Sequence, residues 1–222
     1  MHSDTASSEH ILICSSAPET ALKTGQYLAD TDALLVAATS AADARKYIEI
    51  EPVTAVIIDL LLIDSDGISF ARELRAEMPW LPIIVMTTDQ CEPTFSGDVE
   101  QNTCKQTRLQ FALKQASINN PATKLEILHL EHSDESAAVI REMLRINTGL
   151  FRARSIPEAK IALSIRSYDF ALISSNHPLF YQPLEASCRS ANDPNAYEPN
   201  SLLSIMGQLR QSSERFTTGY CA

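Results

Sequence analysis

Asp59 closes a run of four apolar residues, Ala55 to Ile58, and a carboxylate so placed is positioned for nucleophilic or metal-binding chemistry. A β-branched run of this kind suits a strand buried on both faces, with helices above and below. In open α/β sheets the functional groups gather beyond the carboxyl ends of the strands, where the strand order reverses. The chain stays apolar through Leu60–Ile63 and then turns at Asp64-Ser65-Asp66-Gly67, where the glycine supplies backbone freedom. Taken alone, an aspartate there would more simply cap a strand or the next helix, so its surroundings decide.

Other constellations carry less. His129 and His132 are three apart, but one falls within a strand and the other at its end, so alternation sends them to opposite faces. The Asp64–Gly67 stretch has the opening of a calcium loop without its later ligands or terminal glutamate. Neither a P-loop, a dinucleotide fingerprint nor a nucleophile elbow is present. The cysteines (Cys14, Cys91, Cys104, Cys188, Cys221) are odd in number and lack CxxC spacing, which points to a reducing cytoplasm and incidental thiols. Cys14 reads as a small core hydrophobe.

The elements that must hold these residues alternate. Ile11–Cys14, Ala33–Ala38, Ala55–Asp59 and Ile83–Thr87 read as short buried strands. Pro18 opens the first helix, and Ser40 with Asp43 forms a loose capping box for the second. A third helix spans Ser69 to Met78, and Pro79 and Pro82 bracket the turn that follows. Strand–helix alternation predicts a doubly wound parallel α/β sheet. Asp89–Cys104 breaks the rhythm, amphipathic pattern resumes over Leu109–Ala116, and Asn119-Asn120-Pro121 reads as a linker.

Beyond the linker the pattern restarts. Ile127–Leu130 parallels Ile11–Cys14, the capping box Ser155–Glu158 parallels Ser40–Asp43, and Phe170–Ser174 parallels Ala55–Asp59, each about 115 residues later. The expectation is two tandem copies, 1–120 and 121–222. The second is truncated, because only a helix at Leu202–Leu209 follows Ser174 with clear pattern. Three strands leave an edge that must be covered, by the first domain or by a second copy of the chain in a homodimer.

Composition narrows the class. A net charge of −10 argues against nucleic-acid binding, which needs a basic face. No signal peptide, basic amphipathic helix or membrane-length apolar stretch is visible, so the expectation is a cytoplasmic protein that does not act at membranes.

The strand-terminal Asp59, the Leu-Leu-Ile-Asp-Ser-Asp66-Gly67 loop, Thr87 ending IIVMT and Lys105 before a helix resemble the receiver domain of bacterial response regulators. The resemblance covers residues 10–116 well and 125–175 more weakly, and Gln106 stands where a proline is usual. It implies a flavodoxin-like fold and an Asp59 phosphorylated by a histidine kinase. Thr87 would then read the phosphate and Lys105 would neutralise it. One departure dominates: the adjacent acidic pair that holds Mg²⁺ with the phosphoacceptor is replaced by Ser15 and Ser16. Each lost carboxylate removes a Coulomb attraction of about 4 kcal/mol, at 4 Å and an effective dielectric near 20. Mg²⁺ depends on such anchors, so only a weak site involving Asp59 is expected. Phosphoryl transfer, which relies on positioning and charge neutralisation, should slow with it. In the second copy Glu131 and His132 fall at the acidic-pair positions and Ser174 at the acceptor, with Glu131 expected in solvent.

Two readings follow. In the favoured one the chain is a two-component signalling regulator, a non-enzymatic pseudo-receiver that acts through protein partners with weak or absent phosphorylation at Asp59. In the alternative it is a fully phosphorylation-gated response regulator. A small α/β phosphohydrolase using Asp59 lacks the second acid such enzymes need. Both main readings require the Asp59 carboxylate to be reachable at the sheet's rim, with Trp80 as a fluorescent reporter of Mg²⁺.

Overall fold

The computed structural model describes residues 9–28, 31–87, 124–144, 148–174, 177 and 201–217. Its elements are β1 (His10–Cys14), α1 (Pro18–Leu28), β2 (Leu34–Ala38), α2 (Ala41–Ile50), β3 (Ala55–Asp59), α3 (Gly67–Glu77) and β4 (Ile83–Thr87). There follow β5 (Leu125–Leu130), α4 (Asp134–Met143), β6 (Thr148–Ala153), α5 (Ile156–Ile165), β7 (Phe170–Ser174) and α6 (Ser201–Thr217).

All seven strands join one parallel sheet in the order β2-β1-β3-β4-β7-β5-β6. Among the described residues, 1–120 therefore contributes four strands and 121–222 three to a single sheet. The edge that a three-stranded unit would expose is covered within the chain, since β7 pairs with β4 from Ile84↔Ala171 to Thr87↔Ser174. In the flavodoxin-like order 2-1-3-4-5, β7 takes the fifth place.

The order reads the same from either edge inward to β4, but the halves use opposite faces. Leu12, Cys14, Val56, Ile58 and Val85 pack with α2, α3 and the Ile140–Leu144 end of α4. Ile11, Ile13, Ile57, Ile84 and Met86 pack with Leu28 of α1, with α5 and with α6. Thus α1 and α4, each following the first strand of its half, lie on opposite sides. Right-handed crossovers produce this, because the β1→β2 and β5→β6 connections step in opposite directions across the sheet.

Local signals set the helix starts. Ser40, Asp66, Ser133 and Ser155 are N-caps, their side chains accepting from Asp43, Ser69, Ser136 and Glu158 N–H groups. Asp66 moves the start of α3 to Gly67, ahead of the Ser69 that periodicity suggests. Two elements are ones the sequence reading does not name, α4 and β6; β6 (TGLFRA) is an edge strand.

The halves are also tied at the amino-terminal edge of the sheet. The Arg75 guanidinium, from α3, donates to the carbonyls of Asp169 and Pro79 and at 3.2 Å to Ser213 Oγ of α6. A buried guanidinium is tolerated when its donors are satisfied in this way. Trp80 lies just beyond α3, at the end of β4 opposite Thr87, so it is no reporter of the Asp59 corner.

Candidate functional site

Cys14 pairs with Ile58 in the β1–β3 ladder, so the next residues of each strand, Ser15 and Asp59, stand side by side at its carboxyl end. Ser15 Oγ donates to Asp59 Oδ2 at 2.7 Å, and the two residues are 2% and 3% exposed. Ser15 Oγ also accepts from Ala17 N–H at 3.1 Å, so this hydroxyl is engaged as donor and acceptor. Ser16 Oγ reaches across the same gap and donates to the Leu61 carbonyl at 3.0 Å. The strand end is where the sequence places it, but the carboxylate is covered and does not lie open at the rim, so the reachability that both readings required is not met. Only a reading that needs no phosphorylation at Asp59 can do without it. Two short serines let the β1–α1 corner close onto β3, where two carboxylates would repel Asp59 and call for a cation between them.

The loop after β3 is pinned from further sides. Gly67 N–H donates to the Leu60 carbonyl at 2.8 Å, and a Cβ on Gly67 would lie 2.2 Å from the Asp59 carbonyl oxygen. Only glycine permits that approach. Asp64 accepts from Ala41 N–H at 2.8 Å and Ala42 N–H at 3.0 Å, so it helps to cap α2. The N–H groups of Ala42 and Ala41 hold its carboxyl below the usual carboxylate range. Asp64 and Asp66 are thus both consumed by helix starts. Beside this corner, burial and then the neighbouring Asp64, Asp59 and Asp43 push the Cys14 thiol up to about 12, consistent with an inert core hydrophobe.

Thr87 ends β4, one residue beyond Met86, the register partner of Asp59. It is therefore a diagonal neighbour of Asp59 at the same edge of the sheet. Lys105 and the Asp89–Cys104 segment lie outside the described residues, as do Cys91, Cys104, Cys188 and Cys221.

The residues present do not fit a receiver-type Mg²⁺ site. The Ser15 and Ser16 hydroxyls are spent on Asp59 and Leu61, and Asp64 and Asp66 on backbone N–H groups. Among the described residues no group of three histidine, cysteine or carboxylate side chains converges for a metal.

The second half differs in chemistry. Leu130 pairs with Ile173, so Glu131 and Ser174 follow as neighbouring strand ends. Glu131 is not in solvent: it is 5% exposed and its Oε1 accepts from Ser133 N–H at 2.8 Å. Arg152 of β6 braces this corner, donating to the carbonyls of Glu131 at 2.9 Å and His132 at 3.0 Å. His129 lies in the buried strand, and burial, then Arg152, pushes its imidazole down to about 4. The partner that the structure gives His132 is instead His177, its ring centroid 5.8 Å away in an edge-to-face arrangement. The sequence reading missed His177, because no spacing rule links two residues so far apart.

A parallel, doubly wound sheet carries this carboxylate at its first reversal of strand order, the place where open α/β sheets bind ligands. Residues 11–102 match the model of the response regulator receiver domain. Receiver domains are regulatory parts of two-component signalling, bind Mg²⁺ at the phosphorylation site and engage histidine kinases or other signalling proteins. Similar solved structures include a sensor protein from Polaromonas sp. JS666, with 29% identity over 44% of this chain and 76% of that one, TM-score 0.35. A CheY-like receiver domain from Methylobacillus flagellatus has 24% identity over 36% and 70%, TM-score 0.33. The NtrX receiver domain from Brucella abortus has 20% identity over 44% and 78%, TM-score 0.34. No curated protein matches the chain significantly. No helix among the described residues is long and apolar enough to cross a membrane.

Proposed function

We propose that the chain is a two-component signalling regulator whose phosphoacceptor corner is held closed by hydrogen bonds, and that it works through protein partners with weak or absent phosphorylation at Asp59. The observation that carries this is the 2.7 Å hydrogen bond from Ser15 to Asp59, buried at the place where relatives keep an acidic pair. The Ser15–Asp59 and Ser16–Leu61 contacts link the two loops that a divalent ion would otherwise bridge. The pocket then keeps one arrangement without an ion. On this reading 1–120 and 121–222 are tandem receiver-like copies, the second degenerate, and the protein is a cytoplasmic, non-enzymatic interaction module. Its partner is a histidine kinase or another signalling protein.

The phosphorylation-gated alternative draws on Asp59 and Thr87 keeping adjacent strand ends, with Lys105 as the third member. It requires the Ser15 contact to open. A phosphohydrolase is disfavoured because Asp64 and Asp66, the acids nearest in sequence, serve as helix caps. The experiment is incubation of the whole chain with acetyl phosphate and Mg²⁺, followed by intact mass. The closed reading expects no adduct. A single phosphoryl adduct that disappears in Asp59→Asn would replace it with the gated one.

A further inference from the structure

The two ends of the seven-stranded sheet are β2 and β6, and they are guarded differently. The β6 edge carries Arg152 within the strand and Arg154 just beyond it, and such charges deter a further strand. The β2 edge, Leu-Leu-Val-Ala-Ala, carries none. Leu34 N–H donates to the Glu9 carbonyl and the Ala38 carbonyl accepts from Ser15 N–H, so alternate residues of β2 spend their backbone groups on β1. The N–H and C=O groups of Leu35 and Ala37 therefore point out of the sheet, where no strand lies among the described residues. Beside them a largely apolar groove of about 570 Å³ runs between α1 and β2, lined by Leu22, Gly25, Leu35 and Ala37. Leu22 is 63% exposed there. The missing side chain at Gly25 leaves room in the groove, since an added Cβ would stand 3.8 Å from Leu35 Cδ1.

We propose that this edge docks an extended segment of a partner protein, as an added strand with an uncharged centre and basic residues at both ends. The proposal rests on the reading of the chain as a partner-binding module and supplies the partner's chemistry. Added strands gain affinity from main-chain hydrogen bonds and specificity from pockets for alternate side chains. Here Leu35 and Ala37 each present one donor and one acceptor, and every second side chain of the incoming strand faces the groove. Charge at the two ends selects the partner. Exposed Asp32 precedes the strand, where Glu9 is offset by Arg210 at 3.9 Å. After the strand, Asp43 and Asp64 stand at the start of α2, with Lys46 3.5 Å from Asp43 as the counter-charge. Both ends are therefore net acidic, in a chain of net charge −10. A second copy would set acids against acids whether its β2 ran parallel or antiparallel, whereas basic flanks complement them.

The whole chain is titrated with a short peptide of alternating valine and threonine flanked by lysines, and with the same peptide flanked by glutamates, while amide resonances and hydrogen exchange are followed. The expected result is saturable binding of the lysine peptide, with slowed exchange at the Leu35 and Ala37 amides. The glutamate peptide should bind at least about tenfold more weakly at low salt. Ala37→Pro removes an outward N–H at an edge position that tolerates proline, and is expected to weaken the lysine peptide by at least about tenfold. Gly25→Leu, which fills the groove and favours the helix, should weaken it as well. Absence of binding, equal binding of the two peptides, or equal binding by a folded Ala37→Pro would overturn the site. If Ala37→Pro unfolds, Gly25→Leu decides alone. A concentration-dependent dimer that either variant abolishes would overturn it in favour of a second copy. A phosphoryl adduct on Asp59 would overturn the closed corner while leaving this titration unchanged, so the two readings fail separately.

Discussion

At the ends of β1 and β3 a serine hydroxyl is hydrogen-bonded to an aspartate; at the ends of β5 and β7 a glutamate and a serine hold the corresponding places with strands exchanged. The two corners share a backbone plan and differ in what seals them. In the first, short hydroxyls let two loops close directly on each other, and the sealing contacts run between side chains and the loop itself. In the second the acid is longer and turns back onto Ser133 N–H, while an arginine from the edge strand braces the loop from outside. The first corner is thus closed over its carboxylate, whereas the second presents a half-exposed imidazole. Two corners of one sheet can share a backbone plan while each fixes its own chemistry, because strand ends are set by the backbone and pocket contents by one or two side chains.

The sharpest way to break the comparison is Gly67→Ala. A methyl 2.2 Å from the Asp59 carbonyl must displace backbone, and the expected loss is about 3–5 kcal/mol, measured as a lowered urea midpoint. A milder outcome would mean that the first corner is not rigidly packed. Next, Ser15→Ala removes the hydroxyl from a buried carboxylate and should cost about 1–3 kcal/mol. Arg152→Ala in the second corner should cost about 1–2 kcal/mol, because solvent can reach the carbonyls it leaves. Equal losses in the two variants would erase the distinction drawn between a sealed and a braced corner. Restoring the acids with Ser15→Asp and Ser16→Asp should make thermal stability depend on Mg²⁺. The gain is about 1.4–2.7 kcal/mol at ten to a hundred times the dissociation constant, read as a rise in Tm that EDTA reverses. The parent protein should show no such rise. The smallest effect concerns Cys14: with its thiol pushed up to about 12, it should resist iodoacetamide in the native protein at pH 8 and react after denaturation. Rapid native labelling at Cys14 would show that the first corner opens.

Much of the framework was legible before any coordinates. Ala55–Asp59 and Ile83–Thr87 match their predicted strands, and the serine caps at 40 and 155 open the helices they signal. Strand β6 was not legible, because an edge strand needs few apolar residues and Thr148–Ala153 offers a weak alternation. The solvated role expected for Glu131 failed because a loop position says nothing about which N–H group will claim a carboxylate.

Sequence alone determined the parallel α/β alternation, the carboxylate at a strand end and the two serines, Ser15 and Ser16, beyond the first strand. These rest on local propensity, residue identity and periodicity, all carried along the chain. Tertiary structure decided that β7 docks on β4 to make one sheet, that Ser15 turns its hydroxyl onto Asp59, that Asp64 caps a helix begun 23 residues earlier, and that His177 meets His132. Each is a contact between residues distant in sequence, selected by which apolar faces can be buried together and which polar groups would otherwise be left unpaired.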